Sequence, residues 1–354
     1  MKGNRISRRD FLWRAMLLGG GAALWPLVQA CEEEEATPTP TTPRAGTTPA
    51  ATRPSRTFNF AYLTLGWAGT EIIHRQNLLG RRGWNMQWQT VGPISGLVNT
   101  FASGQADIID MSVIIAGQMY ENNVKLKVFG TAVGSLGGII VPQDSPIRSP
   151  ADLRGRKVGG IPGGTTTQDI NGSLRRLFNL DVFRDTQFVQ ATDPPSAANL
   201  LQTGQVEALL IWEPTLAQLE LTGRFRILVT QQQLWEQASG SRLTQVHVVY
   251  LTTPEIAQQY PQLLRDINDA QREAAEMWNR RDEAAITSIM EITQLPRDVV
   301  VRAMSRTTIL YGLTDDQMNL IIEQLKFNRE HGTILKSDVW NDANRVKNDF
   351  FLKV

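Results

Sequence analysis

Within Ser149–Thr167 (SPADLRGRKVGGIPGGTTT), a short strand, Lys157–Ile161, runs into Pro162, Gly163 and Gly164. Three threonines, Thr165, Thr166 and Thr167, follow where a helix begins. Proline and the glycine pair let the backbone turn tightly and approach a partner closely. The threonines supply an N-cap and hydroxyl donors at the positive end of the helix dipole. First-turn amides lack an intrahelical acceptor, so an anion or a ligand oxygen can be held there. An ordinary capped helix has the same local sequence, so the reason for a ligand must come from the rest of the chain. Catalytic chemistry has little to stand on. The single cysteine, Cys31, permits no internal disulfide, and His74, His247 and His331 are far apart without metal-ligand spacing. No Ser-His-Asp or paired-carboxylate constellation stands out. Neither a cofactor nor a metal site is expected.

The elements that must position this loop begin well inside the chain. With 354 residues, 42% hydrophobic and 20% charged, there is room for about two domains with a real core. The net charge of +1 hides an uneven distribution. Lys2, Arg5, Arg8, Arg9 and Arg14 crowd the N-terminus, and residues 57–354 carry a slight acidic excess. Nucleic-acid binding therefore has no electrostatic basis. Ser7-Arg8-Arg9-Asp10-Phe11-Leu12 resembles a twin-arginine export signal. The apolar run behind it, Ala15–Val28, has 14 residues and is too short to span a bilayer. Leu27-Val28-Gln29-Ala30-Cys31 resembles a lipobox, although Gln29 departs from the usual small or aliphatic residue there. Residues 1–30 thus read as a signal peptide and Cys31 as a lipidation site. Residues 32–56, acidic and then rich in Thr, Pro and Ala, cannot bury a core and are expected to form a disordered tether. Fully extended, it would reach about 75 Å. The folded body is expected outside the cell's cytoplasm, anchored to the outer face of the cytoplasmic membrane.

The body alternates strands and helices. Phe58–Leu63, Met86–Val91, Ala106–Met111 and Lys125–Val133 read as strands, with helical spacing at Glu71–Leu79, Ser95–Ala102 and Val113–Tyr120. The pattern recurs with strands Lys157–Ile161, Thr186–Gln190 and Val206–Trp212 and helices Thr167–Phe178, Pro195–Thr203 and Pro214–Leu221. Such alternation argues for mainly parallel sheets covered by helices. Ser103-Gly104-Gln105-Ala106-Asp107 is echoed 100 positions later by Thr203-Gly204-Gln205-Val206-Glu207, as though a lobe were duplicated. Gly137–Val141 leaves the first lobe and Val246–Thr252 returns to it, two crossings that would form a hinge. The domain limits are then 57–141 for the first lobe, 142–245 for the second, and 246–354 for the return with C-terminal helices that pad the first lobe. Thr314-Asp315-Asp316-Gln317 is a capping box for one of these, Asp315–His331.

The export signal, the tether, ADLRGRKVGGIPGGTT, AANLLQTGQVEALLIWEP and YPQLLRDINDAQREAAEMW together resemble the solute-binding components of ABC importers. The branch is the one with the sulfonate, taurine and nitrate binders and the thiamine-pyrimidine-precursor binders. The resemblance covers about 57–354 and is most specific over 149–214. It implies an α/β, type II periplasmic-binding-protein fold: two α/β lobes, two hinge strands, and ligand in the cleft. It also implies a monomer that is not an enzyme, with a small-molecule ligand, an ABC permease and its ATPase, and the membrane as partners. The family's ligand contacts carry over onto Leu65, Gly66 and Trp67, onto Met111 and Ser112, and onto Thr131 to Ser135 in the first lobe. In the second lobe they fall on Gly163, Gly164, Thr165, Thr166, Thr167, Trp212 and Glu213. Relatives begin the second-lobe helix with Gly-Ser; here Gly164-Thr165 keeps the hydroxyl. Ligands of open α/β sheets sit beyond the carboxyl ends of strands, where these residues lie.

No Lys or Arg falls in these segments, so an anion would be held by amides, hydroxyls and a helix terminus. Trp67 and Trp212 can stack on a ring or pack on an alkyl chain, unless one is plain core. Glu213 would favour a ligand carrying an ammonium or ring amine, unless it forms a hinge salt bridge. The expected ligand is a small organosulfonate or taurine-like molecule; nitrate and pyrimidine or thiamine precursors are the alternatives. A pyrimidine-synthase enzyme would need cysteine, lysine and histidine in the cleft, which these segments lack. A sensory ligand-binding subunit would share the same fold.

Overall fold

The computed structural model describes residues 56–63, 67, 69–92 and 94–354. The signal, Cys31, nearly all of the tether, and Leu65 and Gly66 lie outside the described residues. In chain order, the first elements are β1 (Thr57–Leu63), α1 (Thr70–Arg75), β2 (Asn85–Val91), α2 (Ile94–Ala102), β3 (Ile108–Ser112), α3 (Val113–Glu121) and β4 (Lys127–Gly134). Next come β5 (Gly137–Pro142), β6 (Lys157–Gly160), α4 (Thr165–Phe178), α5 (Val182–Asp185) and β7 (Gln187–Gln190). They are followed by α6 (Pro194–Gln202), β8 (Ala208–Trp212), α7 (Thr215–Leu221), β9 (Phe225–Thr230) and α8 (Gln231–Ser239). The chain closes with β10 (Val246–Thr252), α9 (Pro254–Gln259), α10 (Pro261–Arg280), α11 (Glu283–Thr293), α12 (Arg297–Met304), α13 (Asp315–His331) and α14 (Ala343–Asp349).

Two five-stranded sheets form, ordered β2-β1-β3-β10-β4 and β7-β6-β8-β5-β9. Each has three parallel strands and then one antiparallel strand inserted beside the third, β10 in the first sheet and β5 in the second. The sheets are therefore mixed rather than mainly parallel. Both faces of each are covered, which explains the unbroken apolar runs of the central strands. Along β3, Ile108 joins one core cluster while Ile109 and Met111 join another; along β8, Leu210 faces one way and Leu209 and Ile211 the other.

The 100-residue echo is structural. Gly104 and Gly204 end α2 and α6 at φ +73° and +71°, a left-handed turn that glycine adopts without strain. The Asp107 amide then donates to Asn59 O and the Glu207 amide to Lys157 O. In return each acidic side chain accepts from the same strand's amide, Asn59 N at 2.8 Å and Lys157 N at 3.0 Å. Each also pairs with an arginine just before that strand, Arg56 and Arg156. The same turn thus seats the third strand of both lobes.

Three expectations change. β5 pairs with β8 and β9, so the first lobe ends before Gly137 and not at Val141. The crossings are the short links around Ser135-Leu136 and 240–245. β9 and α8, which the sequence pattern leaves unassigned, complete the second lobe. The C-terminal helices also do more than pad the first lobe. Asn328 of α13 donates to Asp169 Oδ1 of α4 at 2.9 Å, and Arg302 of α12 makes a two-bond contact at 2.8 Å with Glu220 of α7. The capping box of α13 is present, and Leu320, Ile321, Gln324 and Leu325 behind it are buried. Both sheets belong to one compact unit.

Candidate ligand-binding cleft

Strand ends and helix starts come together between the sheets around a cavity of about 510 Å³. The first turns of α2, α3, α4 and α6 all line it, through Ile94 and Ser95, Ser112 and Ile115, Gly164 to Thr166, and Asp193 and Pro194. Each helix follows a parallel strand, so each presents its N-terminus at the carboxyl edge of its sheet. The N-terminus of α6 is occupied by its own residue: Asp193 accepts from the Ser196 amide at 2.8 Å in a capping box. By contrast, α3 and α4 begin at Ser112 and Gly164 without a side-chain cap. The Thr165 hydroxyl donates to Ser112 Oγ at 2.6 Å, so the two uncapped termini, one from each lobe, meet. Thr166 also lines the cavity, and its Oγ1 is buried without a partner.

The wall mixes apolar residues such as Leu63, Val98 and Leu136 with polar ones such as Asn99 and Gln118. Among the described residues no Lys or Arg lines it. Two carboxyl groups do. Bonds from Ser196, the backbone amide first, hold Asp193 below the ordinary carboxylate range. Asp110 on β3 is buried, accepts from the Thr70 hydroxyl at 2.7 Å and from the Leu63 amide, and is pushed up to about 7 by desolvation. His247 of β10 lines the floor with Nδ1 unpartnered, and burial pushes it down to about 4, so it is neutral near pH 7. Its nearest carboxylate is Asp169 Oδ2 at 4.0 Å, which is also bonded by Gln231 at 2.8 Å.

Of the residues expected at the site, Met111, Ser112, Gly163, Gly164, Thr165, Thr166 and Trp212 line this cavity. Trp212 is half-buried, and Gly164 passes close to it: a Cβ there would sit 3.4 Å from the ring and 3.2 Å from Ile161 O. The others among the described residues do not line it. Trp67 sits at φ +58° and is fully buried; its indole donates to Thr307 Oγ1 at 3.1 Å and packs edge-on to Trp278, with centroids 5.4 Å apart. It is core. Thr131 is fully buried, donates to Gly312 O at 3.0 Å and does not line the cavity. Ser135 and Glu213 line a separate cavity of about 150 Å³. There Glu213, 1% exposed, pairs with Arg306, just past the end of α12, at 2.6 Å and accepts from the Ala217 amide at 3.0 Å. Burial pushes its carboxyl up and Arg306 pulls it back. Glu213 is a strut between lobes. Thr167 is buried beneath the first turn of α4 near Gly160, and none of the three threonines is the N-cap, which is Gly164.

Several lining residues escape the sequence reading. The turns after β2 and β7, which supply Ser95 and Asp193, follow from the rule that already placed the β3 and β6 turns. Asp193-Pro194 carries its own N-cap signature. Asp110 and His247 offer no comparable signal, since each sits inside an apolar strand whose neighbours reveal nothing of what the side chain faces.

Compared with known proteins, residues 90–285 match the family model described as NMT1/THI5 like. The match spans more than half of the chain. The chain belongs to this family. An Escherichia coli (strain K12) protein named "Putative aliphatic sulfonates-binding protein" is 28% identical over 162 residues, 46% of this chain and 47% of that protein. The match thus spans about half the length of that relative. Three solved structures superpose with TM-scores of 0.66. The periplasmic aliphatic sulphonate binding protein SsuA from Escherichia coli is 20% identical, covering 77% of this chain and 87% of the other. The alkanesulfonate-binding protein SsuA from Xanthomonas axonopodis pv. citri, bound to MOPS, is 18% identical, covering 86% and 100%. The periplasmic nitrate-binding protein NrtA from Synechocystis PCC 6803 is 14% identical, covering 83% and 86%. At these identities the likeness establishes the fold, which is that of the periplasmic binding proteins. These relatives are binding proteins by name and not enzymes.

Proposed function

We propose that the chain is the extracytoplasmic solute-binding component of an ABC importer. It takes a small organosulfonate into the interlobe cleft and hands it to a membrane permease. The observation that carries this reading is the meeting of two uncapped helix N-termini, α3 and α4, across a cavity with no cationic side chain among its described residues. Oriented amides and hydroxyls hold a strong-acid anion at such a place without needing to be protonated themselves. The sulfonate and nitrate binders among its structural neighbours support an oxyanion. A volume of about 510 Å³ suits an organic ligand and greatly exceeds what nitrate fills. A ligand touching Ser112 and Thr165 together contacts both lobes, so binding would stabilise the closed form that a permease could read. Lipidation at Cys31 would tether the body to the membrane.

Isothermal titration calorimetry with ethanesulfonate, taurine and nitrate is the direct test. Saturable binding of a sulfonate at micromolar concentration, with nitrate weaker, supports the reading. Absence of heat with every sulfonate refutes it.

A further inference from the structure

The cleft has a second pole. Ser112, at the anion-holding end, is the last residue of β3, and Asp110 lies two residues earlier on the same face of that strand. At about 3.3 Å per residue, the two positions are roughly 7 Å apart. Both line the cavity. Asp110 is held in place by two donors, the Thr70 hydroxyl and the Leu63 amide. Burial raises its carboxyl to about 7, and a cation entering the cavity would favour the ionised form over the neutral one that burial favours. Nothing nearby neutralises it from the cavity side: His247 is neutral, Asp193 is a further negative charge, and no Lys or Arg is among the described lining residues. Glu71, Tyr62 and Tyr250, which surround it within the first lobe, add no positive charge. A bare anion in this cavity would meet attraction at one end and two carboxyl groups at the other.

The geometry points to Asp110 as the specificity-determining residue of the cleft, selecting a sulfonate that carries a protonated amine a few bonds away and rejecting the amine-free one. This rests on the organosulfonate reading above. It departs from the named relatives, whose descriptions give aliphatic sulfonates, alkanesulfonate and nitrate. Ser112 and Thr165 serve the sulfonate end, and Asp110 serves the amine.

The test compares taurine with ethanesulfonate, the same two-carbon sulfonate with and without the amine, by calorimetry on the purified full chain. Wild-type protein should bind taurine at least tenfold more tightly, a difference of about 1.4 kcal/mol. In Asp110→Asn, which keeps the size and an acceptor for Thr70, the ratio should fall to threefold or less. In Thr165→Ala both ligands should weaken together with the ratio kept. Equal affinities in wild type, or a ratio untouched by Asp110→Asn, overturn the inference while the sulfonate reading stands. Binding of neither sulfonate overturns both.

Discussion

Replacing Glu213 by Gln separates a strut from a ligand contact. The Glu213 carboxylate is 1% exposed and receives Arg306 at 2.6 Å and the Ala217 amide at 3.0 Å, linking the residue after β8 to the turn that follows α12. Glutamine keeps the volume and one acceptor but loses the charge that faces a guanidinium only 20% exposed. Removing one partner of a buried ion pair costs about 3–5 kcal/mol, because the other charge is left uncompensated. Arg306 retains Glu220, itself held by Arg302, so the low end applies, about 3 kcal/mol. For a body of this size about 2 °C is lost per kcal/mol, so differential scanning calorimetry should show melting about 6 °C lower. Ligand affinity, measured in parallel, should change by less than about threefold, since the residue does not line the larger cavity. Melting within about 1 °C of wild type together with a large loss of affinity would refute the strut and return Glu213 to the ligand.

Thr165→Ala combined with Thr166→Ala should weaken ligand binding about tenfold or more, at roughly 1 kcal/mol per hydrogen bond, with little change in melting; unchanged affinity would remove α4 as the anchor. Trp67→Ala should cost about 3–5 kcal/mol of stability and leave the affinity of the remaining folded protein alone; a selective loss of binding would show that its ring reaches the ligand. Burial holds Asp110 at about 7 against an ordinary 3.8, so the folded chain keeps a proton that the unfolded chain gives up. That contribution is present below about pH 4 and is lost as pH rises through about 7. Asp110→Asn should therefore gain melting temperature relative to wild type from about pH 4 to about pH 7 and level off above it, whereas a constant difference would contradict the burial argument. Asp169, raised likewise, and His247, shifted the opposite way, are present in both proteins and drop out of the difference. Cys31→Ala should move the protein from the membrane fraction to the soluble one, and continued membrane association would rule out the lipid anchor.

Most of the architecture is local information. Strand and helix runs, the capping box at Thr314 and the repeated Gly104 and Gly204 turns depend on neighbours in the chain, and a reader of the sequence finds them. The two-lobe pattern follows because strands that alternate with helices have few ways to bury both faces. The same rule puts Ser112 and Gly164–Thr166 beside the cavity. β5 is different. Its residues read as an exit from the first lobe, yet partners more than sixty residues downstream, β8 and β9, capture it for the second.

Side-chain destinations were decided by the tertiary structure. Trp67 and Trp212 have the same chemistry and both follow a strand end, but one turns into the core toward Trp278 while the other stays half-exposed at the cavity. Glu213 and Asp110 exchanged roles for a similar reason. Glu213 has Arg306, 93 positions away, to neutralise it, and Asp110 has none. The sequence by itself determined which residues end strands and begin helices, because those preferences are backbone and near-neighbour effects. Which carboxylate is paired and which is left facing the cavity depends on charges brought together from distant elements, and only the folded chain sets those distances.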